Sequence, residues 1–477
     1  MGMTSDIRTI STPSGSISGK TTPNGGSEYL GIPFATAGRF EAPVDITTGY
    51  DNFDASQYGY ICPQTPGMLE QALNMDPSHM NEDCLNLNVY VPHDPVESQP
   101  LPVLVWIHGG AYTNGAGSVA WYHGASLASR GCVVVTINYR LGSLGFLGDE
   151  NYGTLDMLSA LRWVQRNISS FGGNTSNVTI FGESAGGSAV VSLLASKEIG
   201  GLAHKAWAMS PSINQLRNYD RSQELMQQFF DIAGVTTIEE ARRLSMEEIL
   251  AIQQTQMASE TKEFDFYSPT AGGTALAKDI LDTAARSPIP LVVGTNRDEN
   301  KLWSTFDPLL VGADQSRWEE FTVETFGDKA ADARIAYAML RPGEAPGGLM
   351  SAVSTDTGFR QPARRLCEAR TNNNVPTWMY WFTWPTPVFG GGVGCCHALD
   401  IPFAFDNLHA EGAEMMTGDG PERAGIADRF ASEIVAFATH GHPSWSQFNL
   451  SDRPTLVIDT NTQLVNDPEP AIRLLFA

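Results

Sequence analysis

A chain of 477 residues, 42% hydrophobic and 17% charged, is long enough to bury a large core, and no apolar run approaches the roughly twenty residues that span a bilayer. Its net charge of −23, from 53 acidic against 30 basic residues, argues against nucleic acid and anionic membrane surfaces as partners, because both need clustered Lys and Arg. Six cysteines are too few for a disulfide scaffold, none forms a C-x-x-C pair, and the adjacent Cys395 and Cys396 are badly spaced for zinc, so no metal is expected.

Taken in order, residues 1–20 are polar, with neither a basic nor an apolar signal region, so a cytosolic protein is expected, although a mature secreted form would look the same. Residues 7–20 read as a hairpin around Pro13-Ser14-Gly15, and residues 29–34 as a short edge strand ended by proline. From Leu85 to Tyr90 apolar residues alternate with polar ones, which predicts a half-buried strand. Residues 101–108 (LPVLVWIH) and 132–138 (CVVVTIN) are continuous apolar runs of the kind buried on both faces of a parallel sheet, with a helix between them. Residues 155–171 carry helical spacing up to Gly172-Gly173, and a β-branched stretch at 177–180 follows. Beyond it come a short strand at 206–210, two or more helices across 221–256, strands at 289–294 and 377–384, a helix at 424–440, and a turn-and-strand tail at 455–465. Strand and helix alternating in this way predict an α/β fold with a mostly parallel sheet. No repeat or low-complexity linker marks a boundary, so one domain over residues 1–477 is expected, with a helical insert at about 215–290 roofing a pocket.

The chemistry gathers around Gly182-Glu183-Ser184-Ala185-Gly186. A serine hydroxyl is a weak nucleophile and must be lifted to where a base can reach it; glycines two positions to either side permit the sharp strand-to-helix turn that does so. The loop His108-Gly109-Gly110-Ala111, directly after a central strand, leaves backbone N–H groups able to stabilise an oxyanion. In an α/β-hydrolase the order is serine, acid, histidine, which leaves five of the nine histidines. His204 sits too close to the serine, and His409, His440 and His442 lie near helix ends, so His397, in a glycine-rich loop after a strand, remains. For the acid, the loop after Gly294 offers both Asp298 and Glu299.

At this point the chain resembles the type-B carboxylesterase, or cholinesterase-like, family of the α/β-hydrolase superfamily, and within it the bacterial esterases of the para-nitrobenzyl esterase and phenmedipham hydrolase kind. The resemblance rests on YLGIPFA at Tyr29, EDCLNLNVY at Glu82, WIHGGAY at Trp106, INYRLGSLGFL at Ile137, FGGNTSNVTIFGESAGG at Phe171, GTNRDE at Gly294 and HALDIPFAF at His397. It implies an α/β-hydrolase fold, with a large mixed sheet flanked by helices and helical insertions over the site. The implied activity is a serine carboxylic-ester hydrolase working through an acyl-enzyme on small to medium esters, carbamates and other xenobiotic esters included, without cofactor. Ser184 would be the nucleophile, His397 the base and Glu299 the acid, with Gly110, Ala111 and Ala185 as the oxyanion hole. Asn300 replaces a family glycine after the acid, and Ala111 a third glycine in the oxyanion loop; neither change removes a donor. Cys62 and Cys84 match the family's first disulfide, and Ser210 a serine often found near the histidine. The tryptophan with which cholinesterases hold choline would fall near Asn74, where no aromatic stands, so cholinesterase activity is not expected. The rival reading is a non-catalytic cholinesterase-like interaction module, against which the presence of Ser184, Glu299 and His397 argues.

Overall fold

The apolar runs become the centre of one 13-stranded sheet in a computed structural model that describes residues 7–22, 24–67, 79–93, 99–259 and 266–477. Its strands are β1 (Ile7–Thr12), β2 (Gly15–Thr21), β3 (Ser27–Pro33), β4 (Tyr50–Asp54), β5 (Asn86–Val91), β6 (Leu101–Ile107), β7 (Val133–Ile137), β8 (Gly173–Glu183), β9 (Lys205–Met209), β10 (Leu291–Asn296), β11 (Thr377–Phe382), β12 (Pro454–Ile458) and β13 (Gln463–Asn466). They lie in the order β1-β2-β3-β5-β7-β6-β8-β9-β10-β11-β12-β13, with β4 beside β2. The stretch from β7 to β12 is parallel throughout, and antiparallel strands flank it at both ends. This is the α/β-hydrolase architecture, a large mixed sheet with helices on both faces.

Why the central strands read as unbroken apolar runs is visible in how their side chains divide. Val103, Val105 and Ile107 of β6 enter one core, while Leu104 and Trp106 enter the other. Val133, Val135 and Ile137 of β7 likewise oppose Val134, and Ala206 and Ala208 of β9 oppose Trp207 and Met209. Period-two alternation is intact, but both faces are covered, so no polar residue is called for. Helices α1 (Tyr152–Asn167), α2 (Ala185–Leu193) and α3 (Tyr219–Ala233) contribute to the first core. The second is closed by α4 (Arg423–His440), whose Phe430, Ile434 and Phe437 pack on the sheet. Each such fully buried large side chain contributes about 2–3 kcal/mol.

Two strand expectations change. Residues 29–34 were expected at an edge, but β3 is interior, paired to β2 on one side and β5 on the other, with Pro33 only at its end. The alternation in β5 predicts a half-buried strand, yet Asn86 and Asn88 are as buried as their apolar neighbours. Asn88 replaces a missing ladder bond, and Asn86 Nδ2 donates to Tyr60 O at 2.7 Å. Gly31, at φ +66 in a bulge of β3, donates its N–H to Asn88 Oδ1 at 2.9 Å, and Asn88 Nδ2 donates to Thr136 Oγ1 at 2.9 Å. Helices including Tyr219–Ala233, Met246–Ser259 and Ile280–Arg286 lie between β9 and β10. Residues 300–376 contain a run of helices including Gln315–Phe326, Ala330–Leu340, Pro346–Thr355 and Gln361–Asn372, and a last helix, Pro470–Leu475, ends the chain; none of these shows a strong pattern in the sequence. Among the described residues no helix is long and apolar enough to cross a membrane.

Replacing Asn88 by Leu should leave the Gly31 N–H buried without an acceptor and cost about 1–3 kcal/mol. A lower urea midpoint with an unchanged slope would register it.

Candidate active site

The parallel strands deliver every candidate residue to one end of the sheet. β8 runs into α2 through Ser184, which is forced to φ 58° and ψ −122°, a conformation that side chains other than glycine rarely adopt. The neighbouring glycines are required by close approach. A Cβ on Gly182 would lie 2.6 Å from the Ile107 carbonyl oxygen, and one on Gly186 would lie 2.0 Å from the same atom. Ser184 N–H is bonded to Met209 O at 3.0 Å, which ties the turn to the end of β9.

Beside it, the end of β6 passes into His108-Gly109-Gly110-Ala111. Gly110, Ala111 and Tyr112 all have positive φ, at 102°, 52° and 59°. The loop is fixed from outside: Tyr139 OH donates to His108 O at 2.9 Å, Gly142 N–H to Tyr112 O at 2.7 Å, and Gly115 N–H to Gln64 Oε1 at 2.7 Å. Burial pulls the His108 imidazole down to about 4, so it is neutral and its ring stacks on Tyr139. The N–H groups of Gly110, Ala111 and Ala185 donate to no other described residue.

His397 Nδ1–H donates to Glu299 Oε2 at 2.7 Å. Glu299 is fully buried, and its other oxygen accepts from Asn296 N–H at 2.7 Å. Of the two neighbouring carboxylates it is therefore Glu299 that meets the imidazole. Asp298 turns the other way and accepts from the Cys395 N–H at 3.0 Å. Both stand in the turn at residues 297–300 that follows β10, where Lys301 N–H donates to Asp298 O at 2.9 Å, so it is the turn and not strand alternation that sends the two side chains to different partners.

The pattern of the sequence did not single out two further acids here. Glu183, next to the serine, lies 3.1 Å from His397 Nε2, and Asp400 is held by Asn296 Nδ2 at 3.3 Å and Tyr380 OH at 3.2 Å. Burial pushes Glu183 up to about 8, with the His397 charge pulling against it, and pushes Asp400 up to about 7, helped by the Glu299 charge. For His397 burial acts downward, but the charge of Glu183 and the hydrogen bond and charge of Glu299 outweigh it and raise the imidazole to about 9. Both acids stand within three residues of a residue the sequence reading named. What marks them is proximity across the sheet end, which no spacing encodes. Two rings complete the wall: Trp303 and Phe359 each lie 5.0 Å from the His397 ring, centre to centre, and Phe359 sits in a π-helical turn, Asp356–Arg360.

The carboxylesterase family model matches residues 6–471. The chain belongs to the carboxylesterase family. It is 34% identical to a para-nitrobenzyl esterase of Bacillus subtilis, over 96% of each chain, and 30% identical to a phenmedipham hydrolase of Pseudarthrobacter oxydans, over 87% of each. A solved PNB esterase superposes with a TM-score of 0.85 at 32% identity, covering 98% of this chain and 99% of the other. A carboxylesterase of Geobacillus stearothermophilus does so at 0.86 and 29%, covering 98% and 100%. This carboxylesterase is thus a serine ester hydrolase, and the non-catalytic module is set aside. Cys62 and Cys84 are buried free thiols; a hydrogen bond to Cys62, together with burial, pushes the Cys84 thiol well up. Ser210 is buried at φ 42°, with no partner for its hydroxyl among the described residues. Asn74 lies outside the described residues.

Because the Glu183 carboxylate favours imidazolium, Glu183→Gln should lower the His397 pKa by on the order of one unit. NMR titration of the His397 ring, or an acid limb of the activity profile moving to lower pH, would record it; an unmoved titration would refute the coupling.

Proposed function

We propose that Ser184, His397 and Glu299 act as nucleophile, general base and orienting carboxylate, with the N–H groups of Gly110, Ala111 and Ala185 as the oxyanion hole. The observation that carries this reading is the 2.7 Å Nδ1–H to Glu299 hydrogen bond on the only described histidine bonded to a fully buried carboxylate at this sheet end, beside a serine on a strained elbow. That bond fixes the tautomer in which Nε2, the nitrogen facing Glu183, carries the lone pair that accepts a proton. Neutral His397 takes the Ser184 proton as Oγ attacks the ester carbonyl, and the tetrahedral oxyanion is met by the three N–H groups. The imidazolium, stabilised by Glu299 and Glu183, then returns that proton to the departing alcohol. Water, deprotonated by His397, attacks the acyl-enzyme and releases the carboxylic acid, regenerating the serine.

The names of the relatives and the apolar rings beside His397 support small to medium carboxylic esters as substrates, with carbamates as a further class that would carbamoylate the same serine. The charge of −23 supports a protein that works without nucleic acid or an anionic membrane. A cytoplasmic setting would keep Cys62 and Cys84 reduced as they stand. One catalytic domain over the whole chain, with residues 215–290 as a helical insert, is supported by a single sheet that takes strands from Ile7 to Asn466.

A fluorophosphonate probe should label the protein and fail to label Ser184→Ala. That variant should keep only the roughly thousands-fold acceleration over water that oxyanion binding supplies. A folded Ser184→Ala protein hydrolysing para-nitrophenyl acetate at the parent rate would overturn the mechanism.

A further inference from the structure

Glu299 stands directly beyond β10, fixed by its own strand, but His397 does not: it follows β11 only after a long loop whose residues 390–394 include four glycines. Backbone of that composition has no intrinsic reason to hold a ring nitrogen at 2.7 Å from a carboxylate. The loop is fastened from the neighbouring acid loop instead. Cys395 is gripped at both backbone polar groups by one residue: Asp298 N–H donates to Cys395 O at 2.9 Å, and Cys395 N–H donates to Asp298 Oδ2 at 3.0 Å. Asn296 Nδ2 donates to Cys396 O at 2.8 Å, and His397 N–H to Glu299 O at 3.2 Å.

Asp298 is 3% exposed, and its Oδ2 also receives the Arg297 guanidinium, with Nε and Nη2 both at 3.0 Å. The ion pair supplies a counter-charge close to the carboxylate that does not touch His397. Packing agrees with the hydrogen bonds. Gly394 is at φ +55°, and a Cβ there would lie 2.7 Å from Asp298 Oδ2, so the carboxylate occupies the space that the missing side chain leaves.

From this geometry we propose that Asp298 is a positioning residue: its carboxylate, paired with Arg297, clamps Cys395 and so sets where His397 stands against Glu299. It touches no reacting atom. The proposal rests on the triad reading above, since it concerns how that histidine is held.

The test compares Asp298→Ala, Asp298→Asn and Asp298→Glu in the full-length enzyme, with kcat on para-nitrophenyl acetate divided by the number of sites titrated with a fluorophosphonate. Asp298→Ala should lower kcat per titrated site by about 10- to 100-fold while KM moves little, as expected for a base displaced by up to an ångström. The asparagine amide oxygen still accepts from the Cys395 N–H, so Asp298→Asn should recover most of that loss. Should the alanine variant not fold, Asp298→Glu carries the test. It keeps the charge and pushes the carboxylate one methylene into the loop, and it should lose about tenfold or more. A role in stability alone would reduce the number of titrated sites and leave kcat per site at the parent value, which would overturn the proposal; an Asn variant as slow as the Ala variant would do the same. Failure of the triad reading itself would show differently, as full activity in Glu299→Gln.

Discussion

The site depends on how closely the exit of β8 passes the end of β6. The Ile107 carbonyl oxygen occupies the place that a side chain at Gly182 or Gly186 would need. That approach lets the chain turn from strand to helix within the thickness of the sheet, and it leaves Ser184 in a strained conformation at φ 58°. Strain of this kind costs on the order of 1–3 kcal/mol and persists only where the surroundings fix it. Here the flanking strands do so, buried on both faces and hydrogen-bonded to neighbours on each side. Because the same end of β6 continues into His108-Gly109-Gly110-Ala111, one backbone contact brings Ser184 close to the N–H groups of Gly110 and Ala111.

Burial around the imidazole sets the second constraint. Glu183, Glu299 and Asp400 are almost fully buried around one histidine, and not all of them can be charged cheaply there. The raised pKa values of Glu183 and Asp400 express that difficulty, while the raised value of His397 expresses its partial relief by a proton on the ring. For the proposed role of general base this cuts both ways: a higher pKa strengthens proton acceptance from serine but reduces the neutral fraction at a given pH. Phe359, buried on the flank of the ring, helps keep the dielectric low, which strengthens each of these interactions.

The sequence by itself determined the central strands, the elbow and the histidine, because each is a local rule. Unbroken apolar runs mean strands covered on both faces, glycines two positions from a serine mean a turn too tight for side chains, and chain order eliminates most histidines. It went astray where burial was decided by a partner. Asn86 and Asn88 look solvent-facing in one dimension and are buried because a bulge in β3 leaves backbone groups for Asn88 to satisfy. Residues 29–34 look like an edge because a proline ends them, yet β3 pairs on both sides, since the proline falls where the ladder stops. The resemblance pointed to Glu299 rather than Asp298 as the acid beside His397, but only the tertiary structure decided that Glu183 and Asp400 stand beside it and that Asp298 bonds the backbone of Cys395. Most of those depend on distances between segments about a hundred residues or more apart, and side-chain spacing along a chain carries no record of what another strand end brings to meet it.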